Sequence, residues 1–293
     1  MSDHYCSPLT WALLRILRRT RVLSHLNFTV RARFGSTSLP VPVNGGVGIN
    51  LLVKDEPWMA ALLSGLLRSF QGAFIDVGVN VGQTLCKVKA LDPARSYHGF
   101  EPNPVCIHYA QELVQLHGYA HATVTPIGLS DHDGLLQLEL HSANSDDSSA
   151  TTVADFRPGF NVHRRFIIPV RKYASVSSEL AIGPVGVVKI DVEGGEREVL
   201  LGMEDQLRTD RAAVILEILP PGRHSMRLTR QQEVEELFAR AGYTLHRIAW
   251  QDGGLRLERM QGPIGVHDDQ SLSNYVALPQ ERTDDVLKAL LQR

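Results

Sequence analysis

The feature that most restricts this chain is an alternation running from Ala73 to Trp250. Short apolar runs, "AFIDV", "SYHGF", "ATVTPIG", "VGVVKIDV", "AAVILEIL" and "YTLHRIAW", are separated by helical patterns at 81–91, 104–117, 196–208 and 230–241. Parallel strands cannot be joined by tight turns, so each strand-helix repeat carries the chain across a sheet face and back. The fold class expected is therefore α/β, a doubly wound and mostly parallel sheet with helices on both faces. With 293 residues, 43% of them hydrophobic, the chain can bury one large core plus appendages.

The appendages lie at the ends. Residues 1–71 are read as an N-terminal extension of an amphipathic helix, a small antiparallel sheet and a second helix; 72–280 as the main domain; 281–293 as a C-terminal helix. "NFTVRARF", "SLPVPVN" and "VGINLLV" are the β-type runs of the extension, parted by the turn chemistry of "GSTS" and "NGG". Within the main domain, "GLLQLELH" and "RRFIIPV" add strands that flank a Ser/Asp-rich stretch, 142–160. That stretch is too polar for the core and long enough to form a lid.

Charge and cysteine content exclude several functions. Thirty Lys plus Arg against 32 Asp plus Glu leave a formal charge of -2, which argues against nucleic acid as a partner. Cys6, Cys86 and Cys106 form no CxxC pair, and the 12 histidines include no HExxH. No metal site is expected from that spacing, and a reducing cytoplasm fits best. "LTWALLRILRRTRVLSHL" sets Leu13, Ile16, Leu17 and Leu23 at helical spacing among Arg15, Arg18, Arg19 and Arg21. The arginines rule out a spanning helix, and their interruption of the apolar stretch is unlike a signal peptide. Such a helix either packs on its own domain, the reading favoured here, or contacts a membrane surface peripherally.

A parallel open sheet binds its ligand beyond the carboxyl ends of the strands. In "FIDVGVNVGQT", Gly78 permits a tight turn, Gly82 permits a helix to start close to a ligand, and Asp76 stands at the strand end. A carboxylate there suits an ammonium or sulfonium better than a pyrophosphate. The glycine spacing is also not the G-x-G-x-x-G of nicotinamide sites. One strand along, "GFEPNP" places Glu101 where a carboxylate can accept the hydroxyls of a ribose. "ATVTPIGLSD" ends at Ser130 and Asp131, a third strand end with polar groups that could read an adenine amino group. In "VVKIDVEGGE", strand alternation puts Lys189, Asp191 and Glu193 on one face, and Glu217 of "AVILEIL" reaches a comparable height. Charge of that density is expensive to bury, so this face is expected to open on a wet cleft.

In this order, "FIDVGVNVGQT", "FEPNP", "GLSD", "VVKIDVEGGEREVLLG" and "VILEI" resemble the FkbM-type methyltransferases over roughly 72 to 218. Val79 and Val81 stand where that family more often has Ala and Ile. The resemblance implies a Rossmann-like class I methyltransferase fold and S-adenosylmethionine as cofactor. It implies that the cofactor is held by the turn from Asp76 to Thr84, with Gly78, Asn80, Gly82, Gln83 and Thr84, by Glu101 and Asn103, and by Ser130 and Asp131. It also implies O-methylation of a hydroxyl on a sugar, glycan or natural-product acceptor. Asp191 first, then Glu193 or Glu217, could accept the hydroxyl proton; the same three carboxylates could instead hold a divalent cation. The competing functions are a nicotinamide-dependent oxidoreductase and a non-catalytic module that binds the cofactor only.

Overall fold

The computed structural model describes residues 4–54, 56–142, 146–157 and 159–291. The chain begins with helix α1 (Pro8–Arg19), capped by Ser7, whose Oγ accepts from the Thr10 N–H at 3.1 Å, with Pro8 pre-set for the first turn. Strands β1 (Asn27–Phe34) and β2 (Thr37–Asn44) pair as an antiparallel hairpin, and α2 (Pro57–Ser69) leads into the main sheet. There follow β3 (Ala73–Val77), α3 (Gln83–Leu91), β4 (Tyr97–Phe100), α4 (Pro104–Leu116) and β5 (Ala122–Thr125). Next come β6 (Gly128–Leu129), β7 (Gly134–Leu140), β8 (Arg164–Arg171) and α5 (Tyr173–Glu179). The second half adds β9 (Val185–Ile190), α6 (Glu196–Gly202), α7 (Glu204–Asp210), β10 (Ala213–Glu217) and α8 (Ser225–Arg240). The chain closes with β11 (Tyr243–Gln251), β12 (Gly254–Arg259), β13 (Asn274–Pro279) and α9 (Thr283–Leu291).

The main sheet has eight strands in the order β12-β11-β13-β10-β9-β3-β4-β5. Five of them, β5, β4, β3, β9 and β10, are joined by parallel pairing, whereas β13 runs antiparallel between β10 and β11. The chain leaves β3 toward β4 and later returns to β9 on its other side. The switch point is thus between β3 and β9, and a crevice opens beyond their carboxyl ends.

Side chains alternate between two cores. Ile75, Val77, Val188, Ile190, Val214 and Leu216 face α6, α7 and α8, while Phe74, Val187, Ala213 and Ile215 face α2 and its neighbours. Each such side chain, fully buried, contributes about 1.5–3 kcal/mol. A third cluster joins the N-terminal unit to α4, with Leu14, Val30, Val41 and Val43 packed on Tyr109 and Leu113.

Three sequence expectations change. "VGINLLV" is not a third strand: Ile49–Leu52 is a short 3-10 helix, because neighbouring Leu51 and Leu52 both point inward, which an extended strand forbids. "ATVTPIG" breaks at Pro126, which lacks an N–H for the ladder, and Gly128–Leu129 pair with β8 in a separate three-stranded sheet of order β6-β8-β7. The helix expected over 196–208 divides at Met203 into α6 and α7. The stretch 281–293 is helical from Thr283 to Leu291, and its last two residues lie outside those described.

Candidate active site

A cavity of about 590 Å³ opens at the switch point, a size suited to a small-molecule site. Its first wall is the turn after β3. Gly78 takes φ +86°, and its N–H donates to Phe100 O at 2.9 Å. A Cβ there would collide with the carbonyl oxygen of Asp191, so this glycine is required by the contact between the ends of β3 and β9. Asn80 is also left-handed, φ 48°, and its Oδ1 accepts from the Val81 N–H at 2.7 Å.

Glu101 ties this turn to the next strand. Its two oxygens accept from the Asn80 N–H at 2.7 Å and the Asn103 N–H at 2.8 Å, while burial pushes its carboxyl up to about 7. Each carboxylate oxygen has a further lone pair, and two such acceptors are what the hydroxyls of a vicinal diol need. Asn103 also caps α4, its Oδ1 accepting from the Val105 N–H at 3.0 Å. Gln83 and Thr84 line the cavity from α3, and Gln83 Nε2 donates to Asn50 O at 3.0 Å. Ser130 lines it from the end of β6.

A second wall is acidic. Ligand atoms of Asp191, Glu193 and Glu217 lie within 4.8 Å of one another. Lys189 Nζ lies 3.0 Å from Asp191 Oδ2 and 3.9 Å from Asp76 Oδ1. Glu193 pairs with Arg157, and burial together with the Asp191 charge pushes it up to about 7. Glu217 is pushed up to about 8 by burial and by the charges of Asp191 and Glu193, although Ser273 Oγ donates to it at 3.0 Å. Burial and the neighbouring carboxylate charges thus hold both Glu193 and Glu217 above the usual carboxylate range.

The polar stretch covers part of the site. Thr151 Oγ1 donates to Glu193 O at 2.6 Å, and the ring of Phe156 packs against Gly194, where any Cβ would strike it. Arg227 lies over that ring, 4.7 Å from its centroid, and donates to Phe156 O. Asp147, Ser148, Ala150, Thr152 and Val153 line the cavity. Ala143, Asn144, Ser145 and Pro158, which belong to the expected lid, lie outside the described residues.

Several expected residues stand elsewhere. Asp76 is fully buried, accepts from Tyr97 Oη and stands 3.9 Å from Lys189 Nζ, so it is not part of the described cavity lining. Burial pushes it up to about 6, against the lowering effect of Lys189 and Tyr97. Gly82 faces Leu113 and Leu85, and Asp131 turns to His132 at 2.7 Å. The described lining of the cavity contains none of Asp76, Gly82, Asp131 or Glu217, although a Glu217 oxygen lies within 4.8 Å of those of Asp191 and Glu193. Strand β9 ends at Ile190, so Glu193 is delivered by a turn residue with φ 54° and not by strand alternation.

The cavity nevertheless selects for positive charge. Glu56, Glu101, Asp147, Asp191, Glu193 and Glu198 line it against Lys189 and Arg230 alone among the described lysines and arginines. Glu56, Glu198 and Arg230 are not legible as site residues in the sequence. Glu198 sits in the "EGGERE" run and pairs with Arg230, which arrives from α8 with no local signal. The diol acceptor, the acidic lining and the short turn fit S-adenosylmethionine and do not fit a dinucleotide pyrophosphate.

A doubly wound sheet with a cavity at its switch point is the arrangement in which open α/β folds bind their ligands. Residues 76–245 match the methyltransferase FkbM domain family, and the chain belongs to it. That family is one of methyltransferases. Among similar proteins, 31-O-demethyl-FK506 methyltransferase FkbM of Streptomyces tacrolimicus is 25% identical over 159 residues, which is 44% of this chain. The chain spans 58% of that relative's length. Similar solved structures include a methyltransferase FkbM from Methylobacillus flagellatus, with 12% identity, TM-score 0.44, and 71% of this chain and 43% of that one covered. Another is the O-methyltransferase TomG of Streptomyces achromogenes in complex with S-adenosylmethionine, with 12% identity, TM-score 0.44, and 79% and 82% covered.

Proposed function

We propose that the protein methylates a hydroxyl of a sugar, glycan or other natural product, with Asp191, Glu193 and Glu217 managing the proton. The observation that carries this reading is the carboxylate cluster that Asp191 and Glu193 bring to the cavity lining. The name of the Streptomyces tacrolimicus relative specifies an O-demethyl acceptor, which supports oxygen as the methylated atom. Bound between the turn after β3, Glu101 and the acidic wall, S-adenosylmethionine supplies an electrophilic methyl group for in-line displacement. An alcohol is a weak nucleophile at neutral pH, so a carboxylate that accepts its proton during attack accelerates the reaction. Asp191 is the first choice: it lines the cavity, and Lys189 holds it in place. Glu193 and Glu217, with oxygens within 4.8 Å of Asp191, are the next candidates to take up the proton. The stretch 146–157 serves to exclude water around the reacting atoms.

The same three carboxylates are close enough to one another for a divalent cation. Exhaustive chelation separates the two roles, since proton acceptance survives it and a metal-assisted reaction does not. Neither a nicotinamide oxidoreductase nor a non-catalytic module is favoured by the family or by the acidic lining. In this reading, residues 1–71, 72–280 and 281–293 act as the extension, catalytic domain and closing helix of a cytoplasmic enzyme. The experiment that tests the proposal is comparative mass spectrometry of extracts from cells with and without the protein, together with assay of Asp191→Asn on the acceptor so found. A product methylated on nitrogen or carbon would refute O-methylation. Full turnover by the variant would refute the role of Asp191.

A further inference from the structure

Helix α1 carries more apolar surface than the domain beneath it covers. Leu14 is buried and, with Trp11 and Leu17, packs on the cluster that includes Leu23, Val30 and Leu51. Leu9, Leu13 and Ile16, spaced four and three residues apart, form a neighbouring stripe on the same helix. They are 85%, 56% and 59% exposed. Past the helix end, Val22 and Leu26 are exposed as well. Helical geometry places Arg15 and Arg19 on the side of this stripe away from Leu14 and Leu17, and Arg18 and Arg21 are exposed as well.

The charge around the stripe identifies what covers it. Residues 4–53 contain six arginines and neither aspartate nor glutamate, in a chain whose overall balance is -2. A second copy meeting the same stripe across a two-fold axis would bring like charges together. An apolar stripe flanked by arginines matches instead the interface of a bilayer, with acyl chains for the leucines and phosphate headgroups for the guanidinium groups. Among the described residues no helix is long and apolar enough to cross a membrane.

We propose that α1 and the turn after it form a docking surface that seats the protein on an anionic lipid bilayer, with Leu9, Leu13 and Ile16 entering the interface. The helix thus has both roles its sequence allowed: one part of its apolar face is core and the other is a lipid contact. The hairpin unit beneath it is joined to the cavity through Asn50, which lines the cavity and accepts from Gln83.

The test is co-sedimentation of the full chain with vesicles of phosphatidylcholine alone and of phosphatidylcholine mixed with phosphatidylglycerol. The protein is expected on the mixed vesicles, with binding that weakens as salt is raised. Leu13→Asp combined with Ile16→Asp reduces partitioning on the order of a hundredfold. Arg15→Gln and Arg19→Gln each reduce it about fivefold. Both Leu13 and Ile16 are solvent-exposed, so the double variant keeps its melting temperature and cofactor binding, and these are measured alongside. Failure of the parent to bind mixed vesicles, or equal binding by the double variant, overturns the proposal. So does a lipid-free dimer that the double variant abolishes, since a second copy would then be the occupant.

Discussion

The two ends of the cavity are held in different ways. At the β3 and β4 end, backbone groups do most of the holding: Glu101 is fixed by two amides, Gly78 by its approach to Asp191, and Asn80 by a left-handed turn closed on itself. At the β9 and β10 end, side chains from distant segments do it: Lys189 on Asp191, Arg157 on Glu193, Ser273 on Glu217 and Arg230 on Glu198. A backbone-built end accepts one ligand and tolerates little change. A side-chain-built end can be retuned one residue at a time, which suits the half of the site where an acceptor is chosen.

The largest effect is expected at the side-chain-built end. Asp191→Asn should lower kcat by about 10²–10⁴-fold, the range of a general base, while calorimetry shows a much smaller change in cofactor affinity. If affinity fell as steeply as turnover, the division of the cavity into two ends would fail. Gly78→Ala strikes the backbone-built end: a left-handed conformation and a collision with the Asp191 carbonyl should cost about 2 kcal/mol or more, read as a lower Tm. Glu101→Gln removes one of two charge-assisted hydrogen bonds to a diol and should weaken cofactor binding about 10–100-fold.

The smallest expected effect concerns pH. Glu193 is held at about 7 against an ordinary 4.5, so its ionised form prevails only above that value, and kcat/KM should rise as pH climbs through about 7. Arg157→Ala removes the cation that favours ionisation, and the rising limb should move about one pH unit higher. An unmoved limb would show that Arg157 only anchors the loop. The same groups affect stability. Glu101, Glu193 and Glu196 are all raised to about 7 when folded, so they bind protons more tightly in the native state. Their contribution is fully present below about 4.5 and is lost as pH rises through about 7. The Tm of the cofactor-free protein should register that loss.

Legibility from sequence divides along the same line. Gly78, Asn80, Glu101 and Asn103 lie within one strand-turn-helix-strand unit, and "DVGVN" and "FEPN" display the geometry they adopt. Asp76 was placed correctly at a strand end, but its environment could not be read. Which way its side chain turns depends on Tyr97 and Lys189, residues on two other strands. Glu193 shows the complementary case, since it joins the acidic group through a positive-φ turn that strand alternation does not describe. Arg157, Arg230 and Ser273 left no trace in the motif pattern because their partners are 36, 32 and 56 residues away.

What the amino-acid sequence alone determined is the parallel doubly wound sheet and, through motifs that resemble a known family, the cofactor expected at its strand ends. These follow from periodicity and from short motifs whose members are near one another in the chain. Tertiary structure alone decided which carboxylates face the cavity, how their charges are paired, and how much of the apolar face of α1 is left uncovered. Burial and ion pairing are properties of neighbours in space, and neither the depth of a side chain nor its distant partner is encoded by spacing along the chain.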